Sequence, residues 1–234
     1  MSQSEIVLGL DASTTACSVA LLRDGLPLAH RFRVMGRGQS EALMPMVAEA
    51  MAEAGLSFDQ LTLIGVTVGP GAFTGLRIGL AAARGMALAL KIPVAGVTTA
   101  ATLAAAVPLA ERRSEGIRTL LVAIESKRAE PYVQAFDPDL TPRGEVEAIS
   151  LEEAKARWGE ESGLLLAGDG AALLSGILSQ ARLSDCLPQP DAASVASLAA
   201  AHWRLGQALP PRPLYLRPPD VTLPKPRAPR RDPS

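Results

Sequence analysis

The sequence of 234 residues is long enough for one large domain or two small ones, and 48% of its residues are hydrophobic, which suffices for a substantial core. Its net charge of −1 hides an uneven distribution: residues 212–234 hold six basic and two acidic side chains, and the remainder holds 17 basic and 22 acidic ones. An acidic body with only 3% aromatic residues argues against a fold that binds nucleic acid by itself, through phosphate contacts and stacked bases.

Cysteine and histidine are scarce. Cys17 and Cys186 form no CxxC pattern, which favours a reducing compartment without a disulfide framework. His30 and His202 lie in a strand pattern and a helix pattern, respectively, and neither has a metal-binding or catalytic spacing. No signal-peptide pattern opens the sequence. We therefore expect a cytoplasmic protein with no metal site of its own.

The first elements form a predicted antiparallel meander. Residues 6–10 are a continuous apolar run, typical of a strand buried on both faces. Residues 16–22 and 28–34 are two further predicted strands, joined by a hairpin turn at 23–25.

The turn at 11–15 carries the first candidate site residues, Asp11, Ser13 and Thr14. A carboxylate and two hydroxyls after a buried strand can hold a magnesium–phosphate group. Asp and Ser also favour turns because they hydrogen-bond to nearby backbone. The residues alone leave both interpretations open.

Residues 40–54 predict an amphipathic helix whose regular part begins close to Pro45, because proline is tolerated only near a helix start. Its apolar side serves either the core or an interface that repacks, as its methionines would allow. That side comprises Leu43, Met44, Met46, Val47, Ala50 and Met51.

A predicted strand at 61–68 leads through a glycine-rich turn into a helix at 75–90. This helix is apolar or small on every side except for a narrow stripe with Arg77 and Arg84, which predicts burial on two sides. A membrane span is disfavoured by its length and its two arginines. The turn lacks both the Lys-Ser/Thr of a P-loop and the GxGxxG spacing, so it is a weak nucleotide signal.

The remaining pattern predicts a second lobe. A strand at 93–97 and a helix at 99–107 precede a charged stretch at 111–116, where we place the boundary. Further strands are predicted at 118–125, 132–136, 144–148 and 164–167, with helices at 151–158, 171–180 and 192–208. Both halves begin with three strands, a weak internal repeat. The predicted domains are 1–110, 117–217 and a Pro/Arg-rich tail at 218–234.

Four segments resemble the bacterial TsaB (YeaZ) family, in the family's order: IVLGLDASTTACSVALL, GVTVGPGAFTGLRIGLAAARGMALALKIPVAGVTT, LVAIESKRAEPYVQAF and PLYLR. The resemblance implies an α/β fold of the two-lobed actin/hexokinase/Hsp70-like (ASKHA) type, each lobe a mixed five-stranded sheet with helices. It also implies a role in making threonylcarbamoyladenosine at position 37 of tRNAs that read ANN codons.

In that family the protein is the non-catalytic partner of its paralogue TsaD, which holds the metal and performs the transfer. The ATPase TsaE joins the pair, and another enzyme supplies threonylcarbamoyl-AMP. The resemblance therefore implies no cofactor in this chain, with ATP, magnesium and a metal ion in the partner subunits, and tRNA contact only through the complex.

Three positions depart from the family's pattern. Gln39 replaces a histidine, the second lobe opens with Glu125-Ser126-Lys127 followed by Ala129-Glu130-Pro131-Tyr132, and Ala12 stands where nucleotide-binding relatives carry glycine. All three weaken an ATP or metal site in this chain. An enzyme with its own nucleotide site, using Asp11, Ser13 and Thr14, is the alternative, and a protease is a third.

We expect the two first-lobe helices to form half of a four-helix bundle, completed by a TsaD-like paralogue or by a second copy of the chain in a weak homodimer. In the tail, Arg217, Lys225, Arg227, Arg230 and Arg231 provide either a solvated tail or a salt-sensitive tRNA contact. The predicted partner interface comprises Leu43, Met44, Val47, Ala50, Met51, Thr74, Arg77, Ile78 and Ala81.

Overall fold

A computed structural model describes residues 4–126 and 130–216, and the structural statements below refer to them. Two five-stranded mixed sheets are flanked by helices. In chain order the elements are β1 (Ile6–Asp11), β2 (Ala16–Arg23), β3 (Leu26–Val34), α1 (Gln39–Glu53), a 3-10 helix (Phe58–Gln60), β4 (Leu63–Gly69), α2 (Phe73–Leu90), β5 (Val94–Thr98), α3 (Thr99–Ala106), α4 (Leu109–Arg112), β6 (Thr119–Ile124), β7 (Tyr132–Phe136), β8 (Glu147–Ala148), α5 (Leu151–Trp158), β9 (Leu164–Ala167), α6 (Ala171–Ser175), β10 (Arg182–Leu183) and α7 (Ala192–Arg204).

The first sheet has the order β3-β2-β1-β4-β5. The β1–β2 and β2–β3 pairs are antiparallel, and the β1–β4 and β4–β5 pairs are parallel. Every residue of the central strand β1 is buried, which explains its unbroken apolar run.

The second sheet repeats this arrangement, in the order β10-β9-β6-β7-β8. Its β6–β7 and β7–β8 pairs are antiparallel, and its β6–β9 and β9–β10 pairs are parallel. Read from its β8 edge, the second sheet has the order β8-β7-β6-β9-β10, so β6 to β10 occupy the positions that β1 to β5 occupy in the first sheet. The predicted repeat and the predicted two-lobed fold with mixed five-stranded sheets are confirmed.

One face of the first sheet is covered by α1 and α2, which pack on alternate residues of the central strands. The other face is covered by α7, at the far end of the chain. This approach is close: a Cβ on Gly9 would lie 2.1 Å from the Ala192 carbonyl oxygen, and one on Gly65 would lie 2.6 Å from Ala199 Cβ. Glycine is therefore required where α7 crosses β1 and β4.

The packing of α7 corrects the predicted domain limits. Residues 117–217 were assigned to the second lobe, but α7 belongs to the core of the first sheet. Conversely α3, inside the predicted segment 1–110, packs with the buried residues of β6 and β9 in the second sheet. Composition located the break near residue 111 but did not reveal which sheet each helix covers. The tail at 218–234 lies outside the described residues and stays a prediction.

Several element limits also differ from the predictions. Helix α1 begins at Gln39, so Pro45 lies inside it and not at its regular start. Helix α6 ends at Ser175, before Gly176, well short of the predicted residue 180. The short elements α4 and β10 were missed, because two to four residues are too few to show a hydrophobic period.

Helix α2 has the length and mean hydropathy (1.2 over 18 residues) of a membrane-crossing helix, and one third of it is buried within the fold. Its buried residues pack against the first sheet and the β1–β2 turn. The core helix of a soluble protein has this same character, so the expectation that α2 lies outside a membrane stays a prediction.

Candidate functional site

The β1–β2 turn brings the three predicted site residues together. Asp11, Ser13 and Thr14 are buried, with exposed fractions of 0%, 0% and 6%. The Asp11 Oδ1 atom accepts hydrogen bonds from the Ser13 backbone N–H (3.2 Å), the Ser13 hydroxyl (2.6 Å) and the Thr67 hydroxyl (2.7 Å). The aspartate therefore orders its own turn and ties it to β4.

Asp11 is held in an environment that disfavours its charge. Burial raises the pKa of its carboxyl to about 6, against the opposing hydrogen bonds from Ser13 and Thr67, and the charge of Asp191 adds a smaller rise. Asp11 Oδ2 and Thr14 Oγ1 are buried and form no hydrogen bond to any described residue.

The start of α2 closes one side of this turn. The Ala72 N–H donates to the Ser13 carbonyl oxygen at 2.7 Å. A Cβ on Gly71 would lie 2.2 Å from that same oxygen, and one on Gly75 would lie 1.8 Å from the Ala12 carbonyl oxygen. The glycines after β4 thus allow direct backbone contact with the turn, and this contact offsets the cost of glycine at the start of a helix.

The start of α7 contacts the neighbouring strands β2 and β3 of the first sheet. Its Ala192 N–H donates to the Ser18 hydroxyl at 2.9 Å, and Asp191 caps the helix by accepting from the Ala193 N–H. The other oxygen of Asp191 pairs with His30 Nε2 at 2.9 Å. His30 therefore supports the cap of α7 through Asp191.

The ASKHA fold family implies a nucleotide, so we tested whether the turn fits a phosphate group. Phosphate binding in such turns uses free backbone N–H groups. Here the Ser13 N–H is occupied by Asp11, and residues 11–14 are buried between packed elements. This burial favours the structural interpretation of the turn, and the absence of a nucleotide site stays a prediction.

The corresponding region of the second lobe contains a second aspartate. Asp169, after β9, accepts from the Glu125 N–H at 2.7 Å, and burial raises its pKa to about 6. The Ser126 hydroxyl donates to the Glu130 carbonyl oxygen at 2.7 Å. Lys127 and Ala129 of the departing motif lie outside the described residues. Sequence reasoning missed Asp169, because the Gly-Asp-Gly segment at 168–170 resembles an ordinary turn.

Within residues 4–126 and 130–216, no group of three or more His, Cys, Asp or Glu side chains is placed to hold a metal ion. Burial lowers the pKa of His202 and raises the pKa of the Cys17 thiol to about 11. Both side chains are therefore neutral at pH 7. The expectations of no metal and no cofactor stay predictions.

The structure corrects the predicted interface on α1. Leu43, Val47, Ala50 and Met51 are 0–3% exposed, so they fill the chain's own core and are not available to a partner. Met44 is 42% exposed. Periodicity identified the apolar side correctly but did not show that the chain's own sheet covers nearly all of it.

The predicted interface residues of α2, unlike most of those of α1, are accessible to solvent. Thr74, Arg77 and Ala81 are exposed, and Ile78 is half-buried against the first core. The same side includes Gly85, where an added Cβ would meet nothing within 4 Å, and Leu88, which is 82% exposed. A largely uncharged face of small and apolar side chains therefore lies open to solvent along α2.

An exposed aromatic cluster at the start of α2 was also missed by sequence reasoning. The Arg77 guanidinium stacks 3.7 Å from the centre of the Phe73 ring, and Arg77 Nε donates to the Tyr215 hydroxyl at 3.2 Å. The two rings are 5.8 Å apart, and each residue is 48% exposed. Tyr215 lies 138 residues after Arg77, so no local pattern could pair them.

The repeated sheets define the class of protein: a two-lobed ASKHA fold whose phosphate-type turn is buried. An activator of the 2-hydroxyisocaproyl-CoA dehydratase from Clostridium difficile shares the fold, with a TM-score of 0.52 at 12% identity over 86% of this chain and 97% of that one. YeaZ from Pseudomonas aeruginosa is much more similar, with a TM-score of 0.75 at 30% identity over 91% of this chain and 100% of that one.

Two sequence comparisons give the family. Residues 33–155 match the family model TsaD, tRNA N6-adenosine threonylcarbamoyltransferase. The tRNA threonylcarbamoyladenosine biosynthesis protein TsaB of Escherichia coli K12 is 32% identical over 192 residues, which cover 72% of this chain and 80% of that protein. The chain therefore belongs to the TsaB (YeaZ) family, as the four segments predicted.

Proposed function

We propose that this chain is a non-catalytic activating subunit of the complex that transfers threonylcarbamoyl to N6 of adenosine 37 in tRNAs reading ANN codons. Membership of the TsaB family supports a part in threonylcarbamoyladenosine biosynthesis. The observation that carries the subunit role is the exposed face of α2 beside α1. We call this the α1–α2 surface; it comprises Met44, Ala48, Thr74, Ile78, Ala81 and Gly85, and it excludes Arg77, which contacts Phe73 and Tyr215.

The α1–α2 surface has the chemistry of a helix-packing interface. No acidic residue occurs in residues 73–90, and small side chains at Ala48, Ala81 and Gly85 permit close approach of another helix. Exposed small and apolar side chains on neighbouring helices favour an interaction site. A partner that offers two similar helices completes a four-helix bundle.

The partner that fits best is a TsaD-like transferase. The match to the TsaD family model spans residues 33–155 and so includes α1 and α2. A transferase built on the same elements can present a matching pair of helices. A second copy of this chain offers the same pair, so we expect a weak homodimer that competes with the heterodimer.

The burial of the β1–β2 turn supports assigning the chemistry to the partner subunits. Asp11, Ser13 and Thr14 hold one another and β4, and they lie beneath packed backbone. We infer that ATP, magnesium and the catalytic metal are held by the TsaD-like and TsaE-like subunits, and that the chain meets tRNA as part of the complex.

The test of the interface uses Gly85→Phe. An added Cβ at Gly85 meets nothing in the monomer, so the fold should be retained, whereas a phenyl ring in a packed helix interface overfills it. We expect association with the TsaD-like protein of the same organism to weaken by roughly 5- to 150-fold, corresponding to ~1–3 kcal/mol. Analytical ultracentrifugation measures both dimers, and a reconstituted assay measures threonylcarbamoyladenosine formation.

Gly176→Phe is the matched control. It adds the same ring to the second lobe, where the nearest atom would be the Leu173 carbonyl oxygen at 3.5 Å, and it should leave both dimers unchanged. If Gly85→Phe forms both dimers at wild-type concentrations, this surface is not the interface.

Calorimetry with Mg-ATP decides between the proposal and an enzyme with its own nucleotide site. We expect no binding by the isolated chain in the micromolar range, because the turn is closed. Micromolar binding that Asp11→Ala removes would replace the subunit proposal with the nucleotide-site alternative.

A further inference from the structure

The residues that follow α7 run back across the first sheet. The Gly96 N–H donates to the Leu209 carbonyl oxygen at 2.7 Å, and the Leu214 N–H donates to the Val68 carbonyl oxygen at 2.7 Å. Residues 207–216, which we call the C-terminal strap, therefore extend from the open edge of β5 to the end of β4. This path delivers Tyr215 to the start of α2.

There Tyr215, Phe73 and Arg77 form the aromatic cluster described above. Both rings are about half exposed, and only Nε of Arg77 is used in a hydrogen bond to a described residue. The central carbon of the guanidinium lies 3.7 Å from the centre of the Phe73 ring, and its terminal nitrogens form no hydrogen bond within the described chain. The cluster thus offers two aromatic rings and a preoriented cation at one exposed point.

The two segments that form the cluster carry no acidic residue. Residues 73–90 and 205–216 contain no Asp or Glu, and they carry Arg77, Arg84 and Arg212. Neither Arg77 nor Arg84 forms an ion pair with a described residue. At physiological salt, charges act over about 8 Å. Near the cluster, the arginines of these two segments therefore outweigh the net negative charge of the rest of the chain.

We propose that the Phe73–Arg77–Tyr215 cluster is a stacking site for an unpaired nucleobase of RNA, with Arg77 contacting the adjoining phosphate. Exposed aromatic rings and arginine planes are the groups on which proteins stack single-stranded bases. The inference rests on the proposed function, because tRNA is the substrate of the complex that the chain serves. The low aromatic content argued against stacking across the whole body, but the strap gathers two of the eight aromatic residues at one point.

The test measures binding of an unmodified tRNA transcript that reads an ANN codon to the assembled complex, by fluorescence anisotropy at several salt concentrations. Tyr215→Leu and Phe73→Leu keep an apolar contact for the strap but remove a ring. Each should weaken tRNA binding about tenfold without changing the salt dependence. Arg77→Gln should lower the slope of log affinity against log salt by about 0.7 to 0.9, one phosphate contact.

Two controls separate stacking from general damage. Tyr215→Phe retains the ring and should bind tRNA within about twofold of wild type. Phe58→Leu alters an aromatic residue that is 38% exposed in the 3-10 helix, away from the cluster, and should leave tRNA binding unchanged.

Wild-type tRNA affinity in both leucine variants would overturn the stacking site. Loss of assembly with the TsaD-like subunit would also overturn it, because the cluster would then belong to the protein interface. If the wild-type chain binds no such subunit, the proposed function fails. In that case the same titration of the chain alone, with the same variants, decides the stacking site.

Discussion

At the scale of the residue, Asp11 shows that a buried aspartate, a residue type common in catalytic and metal sites, can serve to order a turn. One of its oxygens accepts three hydrogen bonds from Ser13 and Thr67, while the other has no partner among the described residues. A buried carboxylate without a cation is destabilised in its charged form. The carboxyl is therefore suited to ordering the turn.

This arrangement predicts a pH-dependent stability. The pKa of Asp11 is about 6 in the folded chain and near its usual 3.8 when unfolded, so the folded state binds more protons between these values. The contribution of protonated Asp11 to the free energy of unfolding is fully present below pH 3.8. It is lost as the pH rises through 6, and the loss amounts to up to about 3 kcal/mol. Asp11→Asn should remove this loss.

Urea denaturation of wild type and Asp11→Asn at pH 4 and pH 7 measures the effect. Relative to wild type, the variant should gain stability at pH 7. Asp169→Asn is a useful comparison, because burial also raises the pKa of Asp169 to about 6. This variant still contains Asp11, so it should retain the loss of stability between pH 4 and pH 7 that Asp11 causes. An equal difference between Asp11→Asn and wild type at both pH values would contradict the assignment.

At the scale of the element, α2 uses its glycines in two different ways. Gly75 and Gly79 are buried, and Gly75 allows the helix to touch the β1–β2 turn through backbone atoms. Gly85 lies on the open side and packs against nothing in the chain. The same residue type therefore serves internal packing at one end and the α1–α2 surface further along.

Alanine at these two positions should have opposite effects on stability. Gly75→Ala would place a Cβ 1.8 Å from the Ala12 carbonyl oxygen, so the backbone must move, at a cost of about 3 kcal/mol or more. Gly85→Ala should stabilise the monomer by up to about 1 kcal/mol, because alanine favours helix over glycine. Thermal unfolding followed by circular dichroism measures both, and similar melting temperatures for the two variants would show that the contact at Gly75 is not rigid.

At the scale of the whole molecule, the two sheets share their covering helices. Helix α3 follows the first sheet in the chain and packs on the second, and α7 follows the second sheet and packs on the first. The two helices also contact each other. We conclude that neither sheet has both faces covered by its own segment of sequence.

Truncation tests this dependence. Ending the chain after Pro190 removes α7 and should abolish cooperative folding, because it uncovers the face of the first sheet that includes Val7, Leu63 and Val97. Ending it after Gly206 removes the strap but keeps α7, and should leave a folded, less stable protein. A cooperative thermal transition in the shortest form would contradict the dependence on α7.

The sequence alone determined the order of the longer elements, the repeat, the family and the closeness of Asp11, Ser13 and Thr14. These features are local or periodic, and an apolar run or a turn is readable over a few residues. It did not determine which sheet α3 and α7 cover, that Val47 and Met51 face inward, or that Tyr215 meets Arg77. Such features depend on contacts between distant segments, and an apolar side has the same period whether it meets the chain's own sheet or another molecule. Only the tertiary structure assigns each side its partner.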